Sequence, residues 1–386
     1  MIIAGETSGD KHAARLVQSI KRRERAHVIG IGGDNMQAAG VELIHHVREM
    51  SVMGFSEIVS KLPFIRKVRR DLLRAIRDER PSAVILVDYP GFNLRFAGLA
   101  RKKGLKVIYF ISPQIWAWGR RRIKKIRRTV DLMLTIFKFE EEMYKQENVN
   151  AHFVGHPIFD EIRTPSQTEI AHFRGRYLEN SATGTSEHAK VLAVLPGSRL
   201  QEIDRILPSM LESAKLLREE LGRKGVDLKM VVGRAPGIDE SVYREIIARS
   251  GVQVEVSEDV ELLMSSADAG IVASGTATLE AALHNLPIVV VYKTSMFTYL
   301  LGRLLVRVGT ISLVNIVAQK KIVDELVQHD FKPRKAAASL ERILMNSQVA
   351  EEIIHNYADL REILGGPGAS DRAAELVLSE GLHCGG

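Results

Sequence analysis

Short, continuous apolar runs alternate with longer amphipathic stretches along nearly the whole chain. The runs are unbroken, as expected for strands that are buried on both faces of a parallel sheet. They are Val84–Val87, Val107–Phe110, Leu132–Leu134, Val191–Leu195, Met230–Val232, Gly270–Val272 and Ile288–Val291. Helical patterns lie between them, for example at Leu207–Leu221, Glu240–Arg249 and Thr276–His284. This alternation predicts an α/β fold with parallel sheets that are wound on both sides.

The length of 386 residues fits two such domains better than one. The alternation stops between residues 164 and 190, where Asn180–Glu187 predicts a surface loop near a domain junction. We therefore predict one domain over residues 1–170 and a second over residues 188–345. Residues 346–386 are predicted to add C-terminal helices that form an interface or cross back.

Composition indicates a globular chain but does not choose a ligand. The net charge of +7 would attract phosphates, nucleic acids and anionic headgroups alike. The single cysteine, Cys384, makes neither a disulfide framework nor a zinc site, and the histidines show no metal-ligand spacing. No run approaches the roughly 20 apolar residues of a membrane span, and residues 1–20 lack a signal-peptide pattern. These features predict a cytoplasmic protein without a metal, with at most peripheral membrane contact.

Two polar loops follow predicted strands in the N-terminal half. Gly5–Asp10 combines glycines, which allow close backbone approach to a ligand, with the carboxylates of Glu6 and Asp10. A capped helix start with Asp10 as N-cap explains these residues equally well. Asp88 directly follows a predicted strand, where it could accept a proton from a sugar hydroxyl. A turn-forming aspartate before Pro90-Gly91 is the alternative, but the apolar strand and aromatic neighbours favour function.

Two loops in the C-terminal half carry groups suited to phosphate. Gly197-Ser198-Arg199 follows a predicted strand, and arginine makes planar, bidentate contacts with phosphate oxygens. Ser274–Thr278 follows another, where backbone amides could hold a diphosphate while Glu280, one turn on, binds a ribose diol. A solvated arginine and an ordinary capped helix remain the alternatives. Together the loops suggest a site for a nucleoside diphosphate.

Two basic segments with apolar or aromatic residues suggest contact with lipid or phosphate. Gly54–Arg80 suits a helix on an anionic membrane, although a stripe buried in the core is the alternative. The stripe consists of Leu62, Ile65, Val68, Leu72 and Ile76, and Phe64 lies off it. Trp116–Arg128 contains both tryptophans and several cations, which suits phosphate, headgroups or RNA, or else a solvated helix beside core tryptophans. No nucleic-acid motif accompanies it, so nucleic acid is not a predicted partner.

Several blocks of sequence occur in the order of one known family and cover nearly the whole chain. They are Gly5–Asp10, Val52–Gly54, Asp88–Asn93, Ser112–Trp118, Gly155–Pro157, Leu195–Arg199 and Ala273–Glu280. In these blocks the chain resembles the bacterial lipid-A-disaccharide synthases. Ser112–Trp118, with the pattern Ser-Pro-Gln-x-Trp-Ala-Trp, is the most specific of them. Members of that family usually have several more residues before the first Gly-Glu block, so the first strand is predicted to be short here.

The resemblance implies a GT-B fold, with two Rossmann-like domains around a cleft and C-terminal helices that cross back or are exchanged in a dimer. It implies an inverting transfer from UDP-2,3-diacylglucosamine to 2,3-diacylglucosamine 1-phosphate. The products would be a β-1,6-linked disaccharide and UDP, with neither a metal nor a cofactor. The expected location is the cytoplasmic face of the inner membrane, with peripheral contact. The expected assembly is a homodimer with interface helices after Ser339.

Matching motif positions also assigns roles to individual residues. Asp88 is expected to be the general base on the acceptor's 6-hydroxyl, with Glu6 and Asp10 as further catalytic candidates. Arg199 would neutralise the departing UDP, and Glu280 would hold its ribose. The donor site is expected to comprise Gly197, Ser198, Arg199, Ser274, Gly275, Thr276, Thr278, Glu280 and Asn315. Acceptor or membrane contacts are expected from Ile58, Val59, Leu62, Phe64, Ile65, Gln114, Trp116 and Trp118.

Three rival functions share parts of this pattern. A different GT-B enzyme, such as a UDP-N-acetylglucosamine transferase or epimerase, would share Arg199 and Ser274–Glu280 without needing the basic segments. A non-enzymatic RNA-binding protein would use Arg120–Arg128 and bind RNA with a steep salt dependence, without binding UDP. A nicotinamide-dependent enzyme would use Gly30–Asn35, but the third glycine of that fingerprint is missing at Asn35.

Overall fold

The chain forms two compact units, which are described separately. One unit comprises Met1–Glu161 together with Leu364–Gly386, and the other comprises Ile162–Ile363. The computed structural model describes residues 1–51, 62–116, 122–178, 189–294 and 310–382.

The first unit is built on a seven-stranded parallel sheet. Its strands are β1 (Ile2–Ala4), β2 (Ile29–Gly32), β3 (Glu42–His46), β4 (Ala83–Val87), β5 (Lys106–Phe110), β6 (Leu132–Thr135) and β7 (Ala151–Phe153). The order β3-β2-β1-β4-β5-β6-β7 puts the short first strand in the interior of the sheet. The three predicted runs of this half form β4, β5 and β6. The strand order reverses between β1 and β4, which is where doubly wound sheets bind their ligands.

The second unit is built on a six-stranded parallel sheet. Its strands are β8 (Ala189–Leu195), β9 (Asp227–Gly233), β10 (Glu255–Ser257), β11 (Ala269–Ala273), β12 (Ile288–Tyr292) and β13 (Asp324–Val327). The order β10-β9-β8-β11-β12-β13 reverses between β8 and β11. The loops with Arg199 and Ser274 follow these two strands, so both lie at the switch point of the second sheet.

Helices connect the strands in both units. Those of the first unit are Thr7–Arg23, Asp34–Ala38, Val47–Ser51, Leu62–Glu79, Pro90–Lys102, Ile123–Thr129, Lys138–Gln146, Ile158–Glu161 and Ala369–Leu376, the last followed by the π-helical Val377–Leu382. Those of the second are Gln167–Leu178, Leu200–Arg223, Glu240–Ser250, Val260–Ser266, Ala277–Leu283, Leu313–Ala318, Pro333–Met345 and Ser347–Leu364, with a 3₁₀ turn at Gln328–Asp330. None of the described helices combines the length and apolarity that a bilayer span requires.

The helix predicted at Leu207–Leu221 begins earlier, at Leu200, so Pro208 lies in its interior and not in its first turn. A proline inside a helix costs about 3 kcal/mol. The added turns bury the side chains of Ile203 and Ile206 completely, and each such burial stabilises the fold by roughly 1.5–3 kcal/mol. Packing of this apolar face thus offsets the cost of the proline.

The end of the chain returns to the first unit. The Asp160 carboxylate accepts hydrogen bonds from the amides of Gly368 (2.7 Å) and Ser370 (3.0 Å), at the start of the helix Ala369–Leu376. Asp371 in that helix pairs with arginines of the helix Thr7–Arg23. These contacts explain why the last residues belong to the first unit.

The boundaries of the units differ from the predicted ones at residues 170 and 345. They fall after Glu161 and Ile363. The helix Gln167–Leu178 belongs to the second unit because its Arg174 pairs with Asp268, which in turn accepts from a β8 amide.

Candidate active site

The carboxyl ends of three neighbouring strands gather the polar loops of the first unit. Ala4 of β1 pairs with Val87 of β4, and Val87 pairs with Phe110 of β5. The loop with Glu6, the residue Asp88 and the segment that starts at Ile111 therefore leave the same edge of the sheet. This edge contains the switch point between β1 and β4, which is where doubly wound sheets bind their ligands.

Asp88 is held in an unusual backbone conformation by buried hydrogen bonds. Its φ angle of 45° lies in the left-handed region, which costs free energy for a non-glycine residue. Its carbonyl accepts hydrogen bonds from Asn93 Nδ2 (2.8 Å) and Tyr109 Oη (2.6 Å). Both donor residues are fully buried. Asn93 and Tyr109 thus fix the direction of the Asp88 side chain, a role that the sequence did not assign to them.

The Asp88 carboxyl is half-buried and has a shifted proton affinity. Burial, and then the negative charge of Glu6, raise its pKa to about 6, while the Tyr89 amide and His12 act in the opposite direction. A carboxylate with this pKa stays ionised near neutral pH and accepts protons better than an ordinary aspartate. The site therefore has the proton affinity of a general base.

Glycine is required at Gly5 because the Tyr89 ring packs directly against it. A Cβ atom there would lie 2.2 Å from Tyr89 Cδ1. This close approach brings the loop of β1 against the residue that follows Asp88. Glu6 itself is exposed and lies at the N-cap of the helix Thr7–Arg23, so it remains available to a ligand.

Asp10 has a structural role in this arrangement. Its buried carboxylate accepts hydrogen bonds from the amides of Gly33 (2.5 Å), Asn35 (3.1 Å) and Met36 (3.1 Å), and from Asn35 Nδ2 (2.8 Å). It lies in the first turn of its helix, and not at the predicted N-cap. The contacts explain the glycine-rich segment Gly30–Asn35 as a loop that Asp10 organises. With these donors in place, Asp10 is a poor candidate for a proton acceptor.

A second titratable cluster of the first unit was missed by the sequence reasoning. His12 Nδ1 lies 2.7 Å from Glu161 Oε1. His156 is buried, which lowers its pKa to about 3, and its ring packs on Phe137 with centroids 5.3 Å apart. The signal available for His156 was its place in the Gly155–Pro157 block. His12 also lowers the pKa of Asp88, so the cluster influences that carboxyl electrostatically.

The segment after β5 places Trp116 against a buried carboxyl. Trp116 Nε1 donates a hydrogen bond of 3.0 Å to Glu140 Oε1, and Glu140 is 1% exposed. Burial raises the pKa of Glu140 to about 7, although the nearby Ser112 hydroxyl and the hydrogen bond from Trp116 lower it. Gln114 is exposed and Trp116 is half-buried, so parts of this segment can meet a ligand. Trp118 lies outside the described residues.

The basic helix Leu62–Glu79 has a buried face and an exposed face. Three stripe members, Val68, Leu72 and Ile76, belong to the core of the first unit. Ile65 is half-buried, and Phe64 packs edge-on against His45 with ring centroids 6.1 Å apart. The exposed face forms a shallow groove that is lined by Pro63, Arg66, Lys67, Arg69, Arg70 and Leu73. The stripe from Val68 onward is thus core, as the alternative interpretation had it, and the cations face outward. Ile58 and Val59 lie outside the described residues, as does the side chain of Leu62.

In the second unit, the loop after β8 presents an exposed arginine. Leu195 of β8 pairs with Val272 of β11, so the loops that follow these strands are neighbours. Gly197 has a φ of 107°, and a Cβ there would meet Glu202 Oε2 at 2.7 Å, so glycine is required. Arg199 is 78% exposed and lies 3.3 Å from Glu202, and such exposed pairs are weak. Ser198 is also exposed, so both side chains can turn towards a ligand.

The loop after β11 has an exposed tip, and the hydroxyls on either side of the tip are hydrogen-bonded within the protein. Gly275 and Thr276 are exposed, while Ser274 Oγ donates to the Ile311 carbonyl at 3.0 Å. Thr278 is fully buried, and its hydroxyl donates to the Gly275 carbonyl at 2.8 Å. The tip of this loop is therefore accessible, whereas the Thr278 hydroxyl serves the loop itself. Glu280, half-buried, lies one turn along the same helix.

Asn315 is buried and organises the neighbouring loop. Its Nδ2 donates to the Val323 carbonyl (3.0 Å) and to Glu325 Oε1 (2.7 Å), and its Oδ1 accepts from the amides of Ile322 (2.7 Å) and Val323 (3.0 Å). Glu325 also accepts from the Ser312 amide and hydroxyl. Because these contacts use the Asn315 amide, its influence on a donor would be indirect.

The model of one protein family matches nearly the whole chain. Its description is lipid-A-disaccharide synthetase, and it matches residues 1–378. The chain belongs to this family.

Curated relatives extend over almost the same length as the chain. The lipid-A-disaccharide synthase of Myxococcus xanthus is 42% identical over 380 residues, which is 98% of this chain and 96% of the relative. The synthase of Syntrophus aciditrophicus is 40% identical over 384 residues, with 98% and 97% covered. Membership of the lipid-A-disaccharide synthase family confirms the predicted enzyme class, a glycosyltransferase of lipid A biosynthesis.

Solved structures share the fold at low sequence identity. The calicheamicin glycosyltransferase CalG4 has a TM-score of 0.61 at 15% identity, with 100% of this chain and 98% of that chain covered. The UDP-GlcNAc 2-epimerase of Neisseria meningitidis, solved with UDP-GlcNAc bound, has a TM-score of 0.61 at 12% identity, with 98% of each chain covered. These likenesses confirm the GT-B class of two parallel-sheet α/β domains. The epimerase and RNA-binding alternatives are not favoured, because the sequence relationship is to the synthases.

Proposed function

We propose that this chain transfers the sugar of UDP-2,3-diacylglucosamine to the 6-hydroxyl of 2,3-diacylglucosamine 1-phosphate. The products are the β-1,6-linked disaccharide 1-phosphate and UDP. The observation that supports this assignment most directly is the Asp88 carboxyl, with its pKa of about 6, at the switch point of the first sheet. A proton acceptor at this position is what the acceptor hydroxyl requires, in a chain of the lipid-A-disaccharide synthase family.

In the proposed step, Asp88 removes the proton of the 6-hydroxyl while that oxygen attacks the anomeric carbon of the donor. The bond from this carbon to the UDP oxygen breaks on the opposite face, so the configuration inverts. General-base assistance of this kind accelerates reactions by roughly 10²–10⁴-fold. Glu6, whose charge raises the Asp88 pKa, is proposed to tune the base rather than to replace it.

The donor is proposed to bind at the switch point of the second sheet. Arg199 would contact the diphosphate, and its high exposure and weak pairing with Glu202 leave it free to reorient. Ser198 and the exposed residues Gly275 and Thr276, next to the half-buried Ser274, would supply further hydrogen bonds. Glu280 would bind the ribose. Thr278 and Asn315 are proposed to support these loops from behind.

Peripheral contact with the cytoplasmic face of the inner membrane is proposed for the exposed face of Leu62–Glu79. Its cations lie outside the core, and each basic residue near an anionic surface contributes about 1 kcal/mol. Phe64 and Ile65, both half-buried, lie at the start of this helix. The acceptor contacts of Gln114 and Trp116 and the homodimer also remain proposals, the latter to be tested by analytical ultracentrifugation.

The decisive experiment is a turnover assay in detergent with both lipid substrates, on the wild type and on Asp88→Ala. We expect the wild type to release UDP and disaccharide. We expect Asp88→Ala to lose most of this activity while binding UDP normally in calorimetry. Near-normal product from Asp88→Ala would move the base to Glu6. A folded, UDP-binding wild type without product would overturn the proposed reaction.

A further inference from the structure

The helix Lys138–Gln146 contacts the segment Ser112–Trp116 at more than one point. The two follow neighbouring strands, because Phe110 of β5 pairs with Leu134 of β6. We propose that Glu140 is a positioning residue that holds Trp116, and with it the segment Ser112–Trp116, in the orientation that receives the acceptor sugar. This inference rests on the proposed function, which gives that segment its acceptor role.

Hydrogen bonds tie the helix to both ends of the segment. At one end, Trp116 Nε1 donates to Glu140 Oε1 at 3.0 Å. At the other, the Ser112 hydroxyl faces the Glu140 carboxyl, and the Tyr144 hydroxyl approaches the Pro113 carbonyl at 3.5 Å. One carboxyl thus faces the first and last residues of the segment. A substitution at Glu140 would therefore change the position of the whole segment.

Aromatic contacts fix the Trp116 ring on a second side. It packs edge-on against Phe139, with centroids 5.4 Å apart, and Phe139 stacks on Phe137 at 5.5 Å. Packing of Phe139 against the ring and a hydrogen-bond acceptor on its N–H together restrict both rotation and translation of the indole. With its buried part held in this way, the half-buried Trp116 presents its remaining surface in one orientation.

The chemistry of Glu140 is unusual for a residue that only fills space. The neutral groups that face it are the Ser112 hydroxyl, the Trp116 indole and the amides of Ile136 and Phe137. Taking a carboxyl out of water among neutral donors costs stability, whereas an apolar side chain of similar size would pack there without this cost. A carboxyl at this site is explained by the strong, directional acceptor that it offers to the indole N–H.

The test compares Glu140→Leu, which removes the acceptor, with Glu140→Gln, which keeps a neutral one. Trp116→Phe removes the donor, and the double variant Glu140→Leu/Trp116→Phe closes a mutant cycle. Glu142→Gln, on the exposed side of the same helix, is the matched control. Each variant is assayed for kcat and for the KM of acceptor and donor separately.

We expect Glu140→Leu to raise the acceptor KM about tenfold or more, as for loss of a hydrogen bond to a charged group. The donor KM should stay unchanged, and Glu140→Gln, which keeps a neutral acceptor, should recover part of the loss. The double variant should be no worse than Trp116→Phe. Equal increases in both KM values, or additive effects in the cycle, would indicate a merely structural role and overturn the inference. If Glu140→Leu does not fold, the acceptor and donor KM values of Glu140→Gln and Trp116→Phe test the inference in its place.

Tryptophan fluorescence separates this inference from the proposed function. The chain has two tryptophans, so a Trp118→Phe background reports Trp116 alone. There, Glu140→Leu should shift the emission of Trp116 and Glu142→Gln should not. If the wild type makes no disaccharide, the proposed function fails, and a shifted emission still supports the contact that orients Trp116. If the wild type is active and Glu140→Leu leaves the Trp116 emission unchanged, the inference is overturned.

Discussion

The two switch points of this molecule are built in opposite ways. In the first unit, Asp88 sits in a strained conformation, its carbonyl held by Asn93 and Tyr109 and its carboxyl altered by burial and charge. In the second, Gly275, Thr276 and Arg199 are exposed, and Arg199 has only a weak pair with Glu202. Groups that take part in bond making benefit from being preorganised, whereas groups that clamp a charged ligand can be ordered by the ligand itself.

Removing the hydrogen bonds that hold the Asp88 carbonyl should have the largest effect on activity. Asn93→Ala deletes a buried donor to the Asp88 carbonyl, so the carboxylate loses its fixed direction. Loss of about 2–3 kcal/mol of positioning corresponds to roughly a 30–160-fold fall in kcat. Tyr109→Phe, which removes one hydroxyl, should cost about tenfold. Turnover at saturating substrate measures both, and calorimetry should show unchanged UDP affinity. Full activity in a folded Asn93→Ala variant would refute preorganisation.

Arg199→Ala should show an intermediate effect, and it should change UDP affinity where the Asn93 and Tyr109 variants change kcat. The Kd for UDP should rise about tenfold, because one charge-assisted contact to phosphate is lost. Arg199→Lys should recover part of the affinity, since an ammonium group lacks the bidentate geometry. Glu202→Gln is the control, and it should change UDP affinity little because the Arg199–Glu202 pair is exposed. Isothermal calorimetry measures these UDP affinities. Wild-type affinity in Arg199→Ala would show that Arg199 does not belong to the donor site.

The smallest expected effect is a shift of the pH profile. The Asp88 pKa is raised to about 6, so the ionised form, which is the proposed base, is present above that pH and is lost as the pH falls through it. Glu6→Gln removes a negative charge and lowers this pKa, which moves the acidic limb of kcat/KM to lower pH by less than about 1 unit. Arg199→Ala should leave that limb in place. An upward shift in Glu6→Gln would contradict the electrostatic role of Glu6.

The sheets and the polar loops at the carboxyl ends of their strands could be predicted from the sequence. Unbroken apolar runs such as those of β4 and β11 fit strands buried on both faces, and the polar residue after each run then lies at a sheet edge. Asp88 and Ser274 were placed in this way. Such reasoning depends on neighbouring residues, which is why it works for strands and the turns that follow them.

Whether a polar side chain faces the ligand or the protein could not be predicted. Asp10, Thr278 and Asn315 have the residue types of a binding loop, yet each is engaged with backbone groups of its own unit. For Asp10 the partners begin at Gly33, on a different loop. Glu140 was overlooked for the same reason, because its partner Trp116 lies on the segment after another strand. Such pairings arise from tertiary packing, on which local patterns carry no information.

The return of the chain to the first unit bears on how the protein is made. A ribosome releases residues 162–363 before residues 364–382, so the contiguous second unit can fold while the first still lacks its last helix. Until then, the face of Thr7–Arg23 that pairs with Asp371 has no partner. Domains usually complete in N-to-C order during synthesis, and this topology reverses that order. The half with the proposed base would be finished last, after the half with the proposed donor site.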